Sequence, residues 1–239
     1  MLIRFSDLAG IPFPEKTLSY VPLPHQDLVN TIKTTSCQML GDYEMIKENY
    51  SIAKDGNQLF GTIAFRNSNT ERLLNIGFRN SYDKSLSVGL LSGAEVIVCS
   101  NLEFSGDIVL MRKHTGNILE DLEILIFKVV KNAVNNFKKH IRIMESLKNY
   151  PVTDEQAYRI MGSLYGNNLI RPNSLSTMMD QWKSPSFDEF KAKTMYNLYN
   201  AGTFALNELP PIMQMRTQKR FHDKMIGIVD AEWAESGTV

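Results

Sequence analysis

A chain of 239 residues is long enough for one large domain or two small ones with a proper core. Its 43% apolar and 22% charged residues match an ordinary soluble globular protein, and no run approaches the roughly 20 apolar residues of a membrane span. A formal net charge of +0 excludes a polyanion binder in bulk, so any nucleic-acid surface must be a local patch.

The first residues, MLIRFSDLAGIPFPEK, lack the apolar core and small-residue cleavage site of a signal peptide. Cys37 and Cys99 are too few for a disulfide scaffold, which points to a reducing cytoplasm. Pro12, Pro14, Pro22 and Pro24 break regular structure, so residues 1–23 are read as an extended arm. PHQDLVNTIKTTSCQM (24–39) is helical, with Leu28, Ile32, Cys37 and Met39 read on its buried side and Gly41 ending it.

Three strands follow, over 42–53, 58–67 and 72–80, with Asp55-Gly56 as a hairpin turn; together they predict an antiparallel meander. The third ends in a polar knot, Arg79-Asn80-Ser81-Tyr82-Asp83-Lys84-Ser85, after which a short helix is expected, capped by Ser81 or Asp83. Two further short strands are read over 94–100 and 107–113. The longest element is a helix over about 117–148. Leu119, Leu122, Ile126, Val129, Ala133, Phe137 and Met144 share one face of it, and Lys128, Lys131, Lys138, Lys139 and Arg142 share the opposite one.

The last third is helical. Thr153 and Gln156 form a capping box for a helix running to Gly166. A loop is expected over NNLIRPNSLS, a second helix over 186–209, and a mixed segment after Pro210 and Pro211. The pattern predicts an α+β fold: an antiparallel β-meander backed by a long helix, with a helical C-terminal region. The expected division is an arm at 1–23, an α+β core at 24–150 and a helical region at 151–239 packed on the same core.

Charge is clustered even though it balances overall. Between Lys128 and Lys148 lie six basic side chains, opposed only by Glu145. Acids early and bases late in a helix complement its macrodipole, which explains the sign order and, less well, why the bases crowd one face; a groove that tracks phosphates explains that clustering, and both readings stay open. Arg79 and Lys84 could add charge-assisted contacts to an anion at the polar knot, with Asn80 and Ser81 donating hydrogen bonds. One cap and one surface ion pair, both commonplace, account for that knot with nothing bound and are the favoured reading of the residues alone. Arg112, Lys113 and His114 form a second basic cluster before the long helix.

Signs of catalysis are missing from the sequence. His25, His114, His140 and His222 make no helical metal pair, and no Cys-x-x-Cys, Gly-x-Ser-x-Gly or phosphate-binding Gly-rich loop occurs. Cys99 with His114 as base is a conceivable nucleophile, but Cys99 sits in an apolar β-type run where free cysteines are usually buried. The expectation is a non-enzyme with no catalytic residue, no cofactor and no metal.

AKDGNQLFGTI, IGFRNSYDKSLSVGLLSGAEVIVCSNLEFSG, RKHTGNI and YNLYNAGT, in that order, resemble the domain-of-unknown-function family 932 of bacteriophages and plasmids. The family pattern falls on Arg79, Asn80, Ser81 and Asp83, on Val98, Cys99 and Asn101, and on Lys113, His114 and Thr115, within about residues 24–205. The resemblance carries no settled activity. Its mobile-element setting implies a protein of DNA metabolism that binds or anneals single-stranded DNA in recombination, similar to phage RecT and Red-beta annealers. The alternative it implies is an anti-restriction protein that binds a host defence protein. Either would act in the host bacterial cytoplasm, without a membrane partner, and could form a homo-oligomer. Candidate nucleic-acid contacts are Arg79, Asn80, Ser81, Lys84, Arg112, Lys113, His114, Lys131, Lys138, Lys139 and Arg142.

Overall fold

The computed structural model describes residues 1–68, 72–96, 102–103, 109–110 and 118–236. The fold is α+β: a five-strand antiparallel sheet with several helices, the C-terminal region being helical. The chain forms two compact units, one of residues 1–95 and 106–137, the other of residues 96–105 and 138–239. The boundary between these units falls inside the long helix.

In the first unit, β1 (Leu2–Ile3), β2 (Glu44–Ala53), β3 (Gln58–Arg66), β4 (Arg72–Ser81) and β5 (Gly89–Val96) lie in sequence order across the sheet. A tight turn at 54–57 joins β2 to β3, as the Asp55-Gly56 pair predicts. β6 is Leu102–Glu103, and β7 (Val109–Leu110) pairs with β5. The N-terminal segment is more ordered than an extended arm. β1 pairs with Tyr50 and Ser51 of β2, and a 3-10 helix covers Phe5–Gly10.

β5 replaces the short helix expected after the polar knot. Leu90, Leu91 and Ala94 are all fully buried, so both faces of this strand are covered and the period-two alternation that marks a half-exposed strand is absent. Gly89 opens it for a steric reason: a Cβ there would lie 3.0 Å from Nε of Arg79, whose side chain crosses the position.

Helix α1 (His25–Met39) buries Leu28, Val29 and Ile32, leaves Cys37 exposed and Met39 only half-buried against expectation, and ties to the sheet through a Lys33–Glu48 ion pair of 2.7 Å. Helix α2 spans Ile118–Lys148, within a residue of its expected bounds. Its buried stripe contains Leu122, Ile126, Val129, Ala133, Phe137 and Met144, as the 3.6-residue period requires.

In the second unit, α3 (Asp154–Gly166) starts on the expected capping box: Gln156 N donates to Thr153 Oγ1 at 3.2 Å and Thr153 N to Gln156 Oε1 at 2.9 Å. The second half of the expected loop begins a helix, α4 (Pro172–Lys183). Pro172 sits at its first turn, where a missing N–H costs nothing and the fixed φ suits a helix. The single helix expected over 186–209 is a 3-10 turn (Asp188–Phe190) followed by α5 (Met195–Leu206), restarted by a Thr194 cap on Asn197 N. The final mixed segment is one helix, α6 (Pro211–Ser236). Its core joins Met161, Leu164, Trp182, Tyr199, Phe221 and Met225.

Candidate nucleic-acid interface

The polar knot is built into the fold. Asn80 is fully buried; its Nδ2 donates to Leu23 O at 2.7 Å and lies 2.9 Å from His25 Nδ1. His25 Nε2 is 3.0 Å from Gly56 O, and the imidazole stacks on Tyr82 at 3.8 Å between centroids. The backbone N–H of His25 donates to the Tyr82 hydroxyl at 2.7 Å, supplying one of the partners a helix N-terminus lacks. Burial pushes the Tyr82 hydroxyl up to about 12, against the lowering effect of that hydrogen bond, so it stays neutral.

Ser81 is also buried. Its Oγ donates to Leu86 O and accepts from Leu86 N, at 2.9 and 3.0 Å. Asp83 accepts from Ser85 N at 3.0 Å and from the Ser85 hydroxyl, and pairs with Lys54 at 3.0 Å. Burial favours its neutral form, but the Ser85 hydrogen bonds and the Lys54 contact outweigh burial and hold the carboxyl down at about 2. Neither Ser81 nor Asp83 caps a helix, because the chain passes through bends into β5; their groups close a local turn instead.

Arg79 is half-buried against Gly89. Lys84 is exposed at a positive φ of 60° and lays its ammonium 4.6 Å from the Tyr20 ring centroid. Of the four knot residues with expected nucleic-acid contacts, the structure thus leaves Lys84 at the surface and carries Asn80 and Ser81 inside. Arg112, Lys113, His114 and Cys99 lie outside the described residues.

Helix α2 carries the other expected contacts, and Lys128, Lys131, Lys138, Lys139 and Arg142 are all exposed. At 100° per residue they fall within an arc of roughly 100°. Among the described residues no carboxylate lies within ion-pair distance of any of the five; the pair on these later turns is Lys148–Glu145 at 2.7 Å. Two apolar side chains interrupt this polar face. Ile124 is 57% exposed and falls in the same arc, and Phe127, at its edge, is 48% exposed. Both line an open groove of about 590 Å³ with Glu123 of α2 and with Asn30, Thr34 and Gln38 of α1. Sequence reasoning overlooked the pair, although positions 124 and 127 stand visibly off the buried stripe of a helical projection.

The second unit holds a sealed polar cluster. His140 and His222 lie 5.3 Å apart between ring centroids, and Tyr199 OH is 3.0 Å from His222 Nδ1. All three are buried, Tyr199 completely. In the first unit, buried Glu95 on β5 pairs with Lys47 of β2 at 2.5 Å and accepts from Asn75 Nδ2 of β4 at 2.7 Å. The register Lys47↔Ala64↔Asn75 sets these groups in one row, and the small Ala64 lets the lysine reach across β3. Among the described residues no three His, Cys, Asp or Glu side chains converge as a metal site, and no helix is long and apolar enough to cross a membrane.

Comparison with family models, with curated proteins and with solved structures finds no match to the chain. The resemblance to family 932 therefore stands on its quoted motifs alone.

Proposed function

We propose that this protein binds single-stranded DNA without catalysing a reaction on it, as a component of phage or plasmid recombination. The observation that carries the reading is the exposed basic face of α2, whose five cations have no carboxylate partner among the described residues. Adjacent like charges destabilise an isolated helix by a few tenths of a kcal/mol per pair, about 0.2–0.5, so a folded-state role does not account for such crowding. A polyanion does, because each phosphate neutralised releases condensed counterions. The exposed Phe127 and Ile124 beside the stripe supply apolar surface that favours unpaired bases over a closed duplex.

Sequence specificity is not expected from lysines, which meet phosphates as point charges. The binding should be sequence-tolerant and steeply salt-dependent. Anisotropy titration of a labelled 20-nucleotide strand at increasing salt tests this. Affinity falling on the order of tenfold or more between 50 and 200 mM salt supports it, and the absence of salt-sensitive binding overturns it.

A further inference from the structure

The groove between α1 and α2 has a chemistry distinct from the cationic stripe beside it. Its α1 wall presents the amides of Asn30 and Gln38 and the hydroxyl of Thr34, and its α2 wall presents Glu123, Ile124 and Phe127. Among the described residues no lysine or arginine lines it. Lys128 and Lys131 are exposed on the next turn of α2 and belong to the same compact unit. Among the described residues, Lys128 and Lys131 stand outside the groove, and a carboxylate with neutral hydrogen-bonding groups stands within it.

We infer that this groove receives an unstacked nucleobase of the bound strand, with the flanking phosphates held by Lys128 and Lys131. This inference rests on the proposed single-stranded DNA binding and adds where the base goes. Glu123 repels a phosphate, so the anionic part of a nucleotide is directed to the lysines; the same carboxylate accepts a hydrogen bond from a base N–H, as acidic side chains do from the cytosine amino group. Phe127 offers a π-face and Ile124 an apolar edge, and such stacking tolerates any base. The side-chain amides of Asn30 and Gln38 each bring donors and an acceptor, which suit a base edge whatever its identity. A groove of about 590 Å³ far exceeds the roughly 30 Å³ that one water occupies in the liquid, which leaves room for a planar heterocycle.

The test compares two 20-nucleotide strands by anisotropy on the full-length protein: oligo(dC), and a strand of the same length whose central ten positions are abasic. Wild type should bind oligo(dC) about tenfold more tightly than the abasic strand, the scale of one stacked base. Phe127→Ala should remove that difference. Thr34→Trp, which fills the groove from the other wall, should do the same. Both positions are at least partly exposed, and thermal melting of each variant confirms that the fold is kept.

Equal wild-type affinity for the two strands overturns the base-binding groove while leaving the phosphate-binding face standing. Loss of both affinities together in folded Phe127→Ala also overturns it. Absence of binding to either strand overturns single-stranded DNA binding itself.

Discussion

Removing the ammonium of Lys47 should destabilise the sheet far more than a surface ion pair would. Glu95 is 2% exposed, and its two oxygens are divided between Lys47 at 2.5 Å and Asn75 at 2.7 Å. Lys47→Ala leaves a carboxylate inside the sheet with a single neutral donor. Breaking a buried pair typically costs about 3–5 kcal/mol, whereas an exposed pair contributes about 0–1 kcal/mol. The Lys47 side chain is 37% exposed, so water screens part of the interaction and the lower end, about 3 kcal/mol, is expected. Adding Glu95→Gln to Lys47→Ala should restore most of it, because a glutamine can still accept from Asn75 and carries no charge to desolvate. Both tryptophans lie outside this unit, so the reporter should be amide hydrogen exchange in β3 and β4. A Lys47→Ala cost below 1 kcal/mol, or no recovery in the double variant, would refute the reasoning.

Two further perturbations probe the knot and the helical unit. The Asp83 carboxyl is held at about 2 against an ordinary 3.8, so its contribution is present at neutral pH and is lost as pH falls from about 4 through 2. Asp83→Asn should be less stable at pH 7 and flatten that acid limb, which acid titrations of both proteins followed by sheet exchange will show; parallel curves would contradict it. In α5, a Cβ on Gly202 would meet Cε2 of Phe221 at 2.6 Å. Gly202→Ala should cost about 1–3 kcal/mol through overpacking. In a Phe221→Leu background the same change should become neutral or stabilising, since alanine exceeds glycine in helix propensity by about 1 kcal/mol. Urea unfolding followed by Trp182 fluorescence measures both.

How much of this was legible in the sequence depends on whether the signal was local. The bounds of α2, its buried stripe and its basic face follow from one period, and the α3 capping box and the 54–57 turn are read within four residues. The first part of β5 reads as a helix because burial on both faces erases the strand alternation, while its end, 94–96, falls within an expected strand. The start of α4 reads as a loop because Pro172-Asn173-Ser174 is a run of turn formers, although a proline at a helix start is equally favoured.

The knot is the clearest non-local case. Asn80 is buried by Leu23 and His25, more than fifty residues away, and nothing in Arg-Asn-Ser-Tyr-Asp announces that α1 will settle on it. The exposed pair Ile124 and Phe127 could have been found, since both leave the buried stripe on a helical projection.

The most direct test of the proposed function is the salt slope of single-stranded DNA binding in a quadruple variant, Lys131→Ala, Lys138→Ala, Lys139→Ala and Arg142→Ala. Each phosphate contact contributes about 0.7 to the slope of log affinity against log salt on a single strand. All four side chains are exposed and unpaired among the described residues, so the fold should be kept. The predicted result is a slope shallower by roughly three, with affinity falling alongside it. A variant that binds with the wild-type slope would contradict the account, because the phosphates would then be held elsewhere on the molecule.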